Sequence, residues 1–203
     1  MQKRLESIEP APVMSERRVS LIGAMLVAIG PISLALYTPA MPEIVAAFGT
    51  TEAAVKMTLS LYFAGFALAQ LFCGPLSDGL GRKPVTFSFM AIYAVASLLA
   101  LVAPTVEMLI VARFLQGIGA AVGIAISRAV VRDLFTHEQS ARIMNLMGII
   151  IAAAPAMAPT AGGLIMEFFG WQAIFLAMLA FGVALVVVVQ FSMQETVTRD
   201  LSR

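Results

Sequence analysis

One arginine, Arg113, lies inside an otherwise apolar run of the chain, where a charged side chain is costly. Placing a guanidinium near the centre of a membrane-spanning helix costs about 2.5–3.5 kcal/mol on insertion scales, and less near an interface. Such a residue either extends towards the membrane surface or has a partner and a role inside the protein. Because arginine keeps its proton in proteins, its chemistry would be to set the pKa of a nearby carboxylate or ligand.

The second group with chemical potential is the polar segment 74–84, which reads Gly-Pro-Leu-Ser-Asp-Gly-Leu-Gly-Arg-Lys-Pro and separates two long apolar runs. Its three glycines and two prolines predict a reversal that cannot continue a helix. Asp78 is placed to cap the helix predicted to start near Pro84. Arg82 and Lys83 add positive charge at a membrane exit and predict that this side is cytoplasmic.

The other reactive residue types give weaker signals. His137 stands alone in a polar loop, and Cys73 is the single cysteine, so we expect no metal site and no internal disulfide. Glu43 falls at an interface and is interpreted as a solvated loop charge. Gly119 and Gly123 indicate close helix packing rather than a dinucleotide site, since no strand precedes them. With no nucleophile–base set, we expect no catalytic residues and no enzyme activity.

Composition assigns the chain to the membrane. Of 203 residues, 60% are hydrophobic and 12% are charged, against about 25% charged in soluble domains. Apolar runs of about 20 residues recur along the sequence and predict an all-α polytopic membrane protein. The predicted helices are 19–40, 54–76, 85–103, 108–131, 143–166 and 172–193, between tails 1–18 and 194–203.

The distribution of charge predicts the topology. Most of the 13 basic residues lie in the two tails, in the segment 74–84 and in the connection after the fourth predicted helix. We therefore expect both termini to be cytoplasmic. The helices divide into two units of three with nearly equal length, and an odd number makes the second unit enter from the opposite side. That pattern predicts two inverted three-helix repeats.

Polar side chains distinguish the helices from one another. The third and sixth predicted helices have no charges and few polar groups, and the valine-rich sixth suits a lipid-facing position. The first, second, fourth and fifth carry polar groups that normally face a cavity or another helix at bilayer depth. The candidate cavity residues are Tyr37, Thr58, Tyr62, Gln116 and Asn145.

Segment 74–84 resembles the signature loop of the major facilitator superfamily, roughly G-x-L-[AS]-D-x-x-G-R-[KR]-P. The resemblance implies a gating role on the cytoplasmic side, where this loop is thought to latch helices. Gly79 departs from the pattern, since many relatives carry a basic residue there. The matching residues assigned to the latch are Gly74, Asp78, Gly81, Arg82 and Lys83.

Two further motifs resemble those of drug:proton antiporters. The first runs from Arg113 to Gly117 and matches R-x-x-Q-G, which implies a proton-coupling role for Arg113. The second, Ala158-Pro159-Thr160-Ala161-Gly162-Gly163, is similar to the A-P-x-x-G-G form of the bicyclomycin/chloramphenicol-resistance branch, and implies roles for Pro159, Gly162 and Gly163. Many relatives carry an aspartate where this chain has Ala35, so the resemblance supplies no proton-carrying acid.

Together these resemblances imply the N-terminal half of a twelve-helix transporter. The expected function is multidrug efflux across the bacterial inner membrane by proton antiport with alternating access. The proton gradient would be the energy source, with no cofactor. The expected partners are a small amphipathic drug or metabolite, the lipid bilayer, and a missing C-terminal half or a second copy, with no nucleic acid.

Two alternatives stay open at this point. The first is a non-transporting remnant or assembly subunit, because the chain ends just after the sixth predicted helix. The second is a transporter of the same fold for a metabolite. We expect the 203 residues to be a fragment or a truncated product, since six helices alone would expose cavity-lining faces to lipid.

Overall fold

A computed structural model describes residues 13–197, and every regular element within that range is a helix. Six segments are long and apolar enough to cross a membrane, with α1 and α2 forming one span. The predicted tails 1–18 and 194–203 lie partly outside the described residues. The elements are α1 Glu16–Tyr37, a 3-10 turn Thr38–Ala40, α2 Met41–Phe48, α3 Glu52–Leu80, α4 Arg82–Leu101, α5 Val106–Leu134, α6 His137–Phe169 and α7 Gln172–Ser192.

Side-chain caps define where three of the long helices begin. Ser15, Thr51 and Thr105 each accept a hydrogen bond from the backbone N–H three residues later, at the starts of α1, α3 and α5. Such a cap satisfies one of the backbone donors that the first turn leaves unpaired. The helix starts therefore follow from local sequence.

Prolines lie where the first helix was predicted to end, at residue 40. Pro39 and Pro42 could each interrupt a helix there. Both prolines instead occupy first-turn positions, one of the 3-10 turn and the other of α2. Proline is tolerated there because that turn has no use for its missing N–H. The helical path therefore extends to Phe48, where Gly49 ends it in a left-handed conformation (φ 57°).

The polar segment 74–84 is mostly helical, which corrects the predicted reversal. Helix α3 continues through Pro75 to Leu80, and only Gly81 leaves the helical region, with φ 107°. One backbone conformation open to glycine is enough to separate α3 from α4. Asp78 consequently lies in the last turns of α3, so the prediction that it caps the next helix is wrong.

Helix packing shows the two inverted three-helix repeats. The first unit is α1, α3 and α4, and the second is α5, α6 and α7. The contact between α3 and α5 has its counterpart in α6 with α1, and α4 with α5 has its counterpart in α7 with α1. The remaining large contacts, α1 with α5 and α4 with α7, relate equivalent helices of the two units. The fold is therefore half of a major facilitator fold in architecture.

The helices differ greatly in how much of each one is covered. In the most apolar window, 56% of residues are buried in α1, 50% in α4 and 61% in α5. The corresponding values are 22% for α3 and 11% for α6. The third predicted helix, which has few polar groups, thus lies in the interior as α4, packed between α5 and α7. Its aromatic and small residues fit helix contacts as well as they fit lipid.

Candidate transport site and polar latch

Arg113 lies deep in the bundle. It is seven residues from the start of α5, which places it about 10 Å along the helix axis. The residue is fully buried, with 0% of its surface exposed. It therefore does not extend to the membrane surface, and its charge is held by contacts within the protein.

Two tyrosine rings sandwich the guanidinium of Arg113. Its central carbon lies 4.4 Å from the ring centroid of Tyr37 and 4.5 Å from that of Tyr62. The negative face of each ring stabilises the cation, an interaction that strengthens when water is excluded. The Nη1 group donates a 2.6 Å hydrogen bond to Oε1 of Gln116. Nε and Nη2 have no hydrogen-bond partner among the described residues.

A polar network extends from Arg113 across the centre of the bundle. Gln116 donates from Nε2 to Oγ of Ser97 at 2.7 Å and to the sulfur of Met178 at 3.4 Å. The hydroxyls of Tyr37 and Thr58 lie 2.7 Å apart. The network therefore links α1, α3, α4, α5 and α7 around one cation. We call Arg113, Gln116, Tyr37, Tyr62 and Ser97 the arginine cluster.

Sequence reasoning missed the hydroxyl groups that complete this network. Ser97 and Tyr93 lie on α4 and are fully buried, and the Tyr93 hydroxyl meets that of Ser33 on α1. Serines in membrane helices commonly bond to their own backbone, as Ser33 does to the carbonyl of Ile29, so they give no distinct signal. The four-residue spacing of Tyr93 and Ser97 is the one pattern that marks a polar face on α4.

An apolar chamber of about 460 Å³ lies beside the arginine cluster. Four helices line it: α1, α3, α5 and α6. Tyr62 belongs to both features, because its ring faces Arg113 and it also lines the chamber. The other lining residues are Gly30, Pro31, Leu34, Ala35, Thr38, Phe63, Phe66, Ile124, Ile151, Pro155 and Pro159. Such a chamber suits an apolar or aromatic body of small-molecule size.

A second polar site, the latch, joins the ends of four helices on the side of the bundle that carries segment 74–84. Arg82, which is nearly buried, pairs with Asp78 on α3 and donates to Oγ of Ser77. Its Nε group donates to the carboxylate of Asp133 on α5 at 3.1 Å. Lys83 donates from Nζ to the backbone carbonyl of Gln190 on α7 at 2.8 Å. The start of α4 is thus tied to α3, α5 and α7.

Glu195 completes the latch from the far end of the chain. Its carboxylate accepts hydrogen bonds from the backbone N–H groups of Arg82 at 2.8 Å and Lys83 at 3.1 Å, and so caps α4. Partial burial on its own would raise the pKa of Glu195. The backbone donors of Val197, Arg82, Lys83 and Thr196 outweigh that effect and hold the pKa below its ordinary value. No sequence motif marked this residue in advance.

Comparison with known proteins identifies the family. The model of the Major Facilitator Superfamily matches residues 21–201, which is most of the chain. The chain belongs to the major facilitator superfamily. It is therefore a multi-pass membrane protein of a transporter family, as its six spans indicate.

Members of the superfamily that are similar in sequence include bacterial proteins. The chain is 34% identical over 188 residues to "Uncharacterized MFS-type transporter YdgK" of Bacillus subtilis (strain 168), covering 91% of this chain and 47% of that protein. It is 35% identical over 171 residues to "Multidrug resistance protein MdtL" of Escherichia coli (strain K12 / DH10B), covering 84% of this chain and 44% of that protein. The chain spans about half the length of these relatives.

A solved structure of the superfamily has the same fold. The crystal structure of the human organic anion transporter MFSD10 (TETRAN) matches with a TM-score of 0.73 over 91% of this chain and 49% of that chain. The sequences are 17% identical, so this likeness concerns the fold alone.

The structure distributes the predicted cavity residues over several places. Tyr62 lines the apolar chamber. Tyr37 and Thr58 are fully buried and bonded to each other. Gln116 is buried towards α4 and α7, and Asn145 is exposed on α6 and does not line the chamber. Phe63, Phe66 and Pro155, which sequence reasoning did not select as site residues, supply further parts of the wall.

The A-P-x-x-G-G motif lies on α6 where that helix meets α1. Pro159 lines the chamber. A methyl group on Gly162 would lie 2.6 Å from the backbone carbonyl oxygen of Leu36, so only glycine allows this approach. Gly163 has no neighbour within 4 Å of the corresponding position. The motif's two glycines therefore differ in their surroundings within the described residues.

The glycines of α5 also act in packing, but on different neighbours. Gly119 approaches Tyr93 on α4, whereas Gly123 approaches the backbone carbonyl of Leu26 on α1. The predicted small-residue pattern thus serves two helix contacts instead of one. Among the described residues, no group of three or more histidine, cysteine or acidic side chains is placed to hold a metal ion.

Proposed function

We propose that this chain is the N-terminal half of a multidrug exporter of the bacterial inner membrane. Its relatives of known name include a multidrug resistance protein that is 35% identical over 84% of the chain. In this proposal the two halves enclose a cavity and expose it alternately to the two sides of the membrane. The exported compounds are amphipathic, and the proton gradient supplies the energy without a cofactor.

The observation that carries this proposal is the apolar chamber backed by the arginine cluster. The chamber has about 460 Å³ and lies on α1, α3, α5 and α6, which are the helices predicted to line a cavity. A wall of aromatic and aliphatic side chains gains binding energy from apolar surface without demanding one hydrogen-bond pattern. Such a wall favours many drugs over one metabolite.

Arg113 serves in this proposal as a fixed charge that couples binding to proton movement. The guanidinium keeps its proton, so it influences a carboxylate rather than acting as the carrier. Ala35, the position of an acid in many relatives, lines the chamber, and no acidic residue lines it among the described residues. The proton-carrying acid in this proposal is supplied from outside the chamber wall described here.

The A-P-x-x-G-G motif on α6 supports assignment to the bicyclomycin/chloramphenicol-resistance branch. Ala158, the residue that distinguishes the A-P-x-x-G-G form, is buried on α6, one turn before Gly162. Gly162 allows α6 to approach α1 closely. A contact this tight restricts the relative motion of the two helices. We expect such a restriction of a motif that is associated with the direction of transport.

Drug susceptibility tests the proposal. The complete gene is expressed in a strain that lacks its major exporters, and the minimal inhibitory concentrations of chloramphenicol and unrelated amphipathic drugs are measured. We expect resistance to rise, and to return to the baseline in Arg113→Ala while membrane insertion is unchanged. Arg142→Ala is the matched control, since that arginine is exposed.

Two outcomes would contradict the proposal in different parts. Unchanged susceptibility with a well-inserted complete protein would remove the export function. Full resistance in Arg113→Ala would leave export in place but remove the coupling role of Arg113.

A further inference from the structure

The apolar chamber adjoins a second chamber that carries two cationic side chains. This second chamber has about 600 Å³ and shares Ile124 and Ile151 with the apolar chamber. It lies towards the end of α5 that carries the latch residue Asp133. Two arginines of α5, Arg128 and Arg132, line it. The two adjoining chambers together form a space with an apolar part and a part that two arginines line.

The two arginines are available to a ligand. Both are exposed, and they lie four residues apart on one face of α5. Neither forms an ion pair within residues 13–197. The acids that do form ion pairs in that range have other partners: Asp78 and Asp133 pair with Arg82, Glu16 with Arg142 and Glu52 with Lys56.

Among the described residues, the lining of the space offers no negative charge to balance them. None of the residues that line the two chambers is acidic. Arg113 adds a further positive charge behind the Tyr62 ring, 4.5 Å from its centroid. Arg128 is six residues from the end of α5, or about 9 Å along the helix axis. It therefore lies within the length of the helix rather than at its end.

We propose that this space binds amphipathic anions, with the apolar body between Tyr62 and Ile151 and the anionic head on Arg128 and Arg132. Guanidinium groups favour carboxylate, sulfonate and phosphate heads because they donate paired, charge-assisted hydrogen bonds. A cationic amphipath of the same shape meets three uncompensated positive charges instead. The inference rests on the proposed function, because it gives the substrate class of that same site.

Binding of three matched probes tests the charge preference. Pyrenebutyrate, pyrenebutanol and 4-(pyren-1-yl)butyltrimethylammonium share one apolar body and differ in head charge. Each is titrated against the complete gene product in phosphatidylcholine nanodiscs, with empty nanodiscs as background. We expect the carboxylate to bind about tenfold more tightly than the alcohol, and the ammonium to bind most weakly.

Variants locate the preference. Arg128→Gln/Arg132→Gln should lower the affinity of the carboxylate to that of the alcohol and leave the alcohol unchanged. The lysine pair, Arg128→Lys/Arg132→Lys, should keep most of the preference because it keeps the charge. Arg142→Gln is the control on the neighbouring helix, outside both chambers. Ile124→Trp should weaken all three probes, since it fills the shared wall.

Several results would overturn the inference. Equal or tighter binding of the ammonium probe would do so, as would a carboxylate preference that survives in the double glutamine variant, or no binding of any probe. A lower unfolding temperature of that variant with unchanged preference would mean that the arginines pair with another part of the protein. Measuring efflux of the same probes separates this inference from the proposed function. Selective binding without efflux would contradict the export function and leave the inferred substrate class standing.

Discussion

At the scale of single residues, the arginine cluster explains how an apolar bundle holds a full positive charge. Within residues 13–197, Arg113 makes one hydrogen bond, to Gln116, and otherwise lies between the rings of Tyr37 and Tyr62. Ring faces stabilise a cation without a counter-charge, so the site stays positive. A neighbouring carboxylate would neutralise it, whereas two tyrosines keep its field available to a ligand.

The contribution of the ring is measurable by a double-mutant cycle. We expect the effects of Tyr62→Leu and Arg113→Met on the free energy of unfolding to differ from additivity by about 1 kcal/mol. Either substitution alone removes the cation–ring contact, so the double variant cannot lose it a second time. Unfolding in detergent micelles provides the measurement. Tyr62→Phe serves as the control, since it keeps the ring and loses only a long bond, 3.4 Å, to the carbonyl of Gly30. Additive effects of the two substitutions would contradict the cation–ring account.

The sequence predicts the arginine but not its surroundings. Arg113 was recognisable because it costs free energy in an apolar run, and Tyr62 because it is polar at bilayer depth. The roles of Ser97 and Tyr93 depend on α4 lying between α5 and α7, and an apolar helix with few polar groups looks the same in lipid and in a core. Glu195 was equally inaccessible, since its partner Arg82 is 113 residues away in the chain.

At the scale of elements, close approach between helices depends on a few glycines. Gly162 on α6 meets the backbone of α1 at Leu36, and the adjacent Gly163 meets nothing within 4 Å. We expect Gly162→Ala to lower the free energy of unfolding by about 1–3 kcal/mol and to impair drug resistance, because the backbone oxygen cannot move aside easily. Gly163→Ala is the matched control and should change the free energy of unfolding by less.

The measurement for this pair is thermal unfolding in detergent together with the resistance assay. Equal destabilisation by both substitutions would show that α6 and α1 do not approach as described. A strong effect of Gly163→Ala on resistance alone would indicate a contact outside the described residues.

The stabilisation that the latch gives to α4 depends on pH. The pKa of Glu195 is lowered from its ordinary value of 4.5, so its stabilisation is fully present above that pH and is lost as the pH falls through the lower folded value. The cap that Glu195 places on the backbone N–H groups of Arg82 and Lys83 is therefore fully formed at neutral pH.

Glu195→Gln tests this contact. We expect the variant to have a lower unfolding temperature than the natural protein above about pH 4.5, and the difference to shrink as the pH falls further. Glu138→Gln, which removes an exposed acid in the first turn of α6, is the control and should lower the unfolding temperature by less. A difference that grows on acidification would mean that Glu195 stabilises the latch in its protonated form.

At the scale of the whole molecule, the number and order of the helices followed from hydropathy. Each of the six predicted runs overlaps one of the six candidate spans. The largest differences are at the end of the first span, which reaches Phe48 instead of residue 40, and at the start of α6, which begins at His137 instead of residue 143. Hydropathy marks the membrane-embedded part of a helix, whereas caps and charges decide where the helix ends.

Under the proposed function, the uncovered helices form the surface on which a second half would pack. Helices α3 and α6 have 22% and 11% of their most apolar windows buried, and they line both chambers. The chain also spans 47% and 44% of its relatives. A second six-helix unit placed against α3 and α6 would enclose the chambers and shield Arg128 and Arg132 from lipid.

Expression of the two forms tests this dependence. We expect residues 1–203 alone to insert into the membrane and to give no drug resistance, because one half leaves the chambers open to lipid. The complete gene product, obtained by reading the frame beyond the codon for Arg203, should give resistance. Where the frame continues, residues 1–203 coexpressed with the remaining segment should restore part of it, since the large half-to-half surface would reassemble. Resistance from residues 1–203 alone would contradict this account and would mean that two copies of the chain, each with its own arginine cluster, form the transporter.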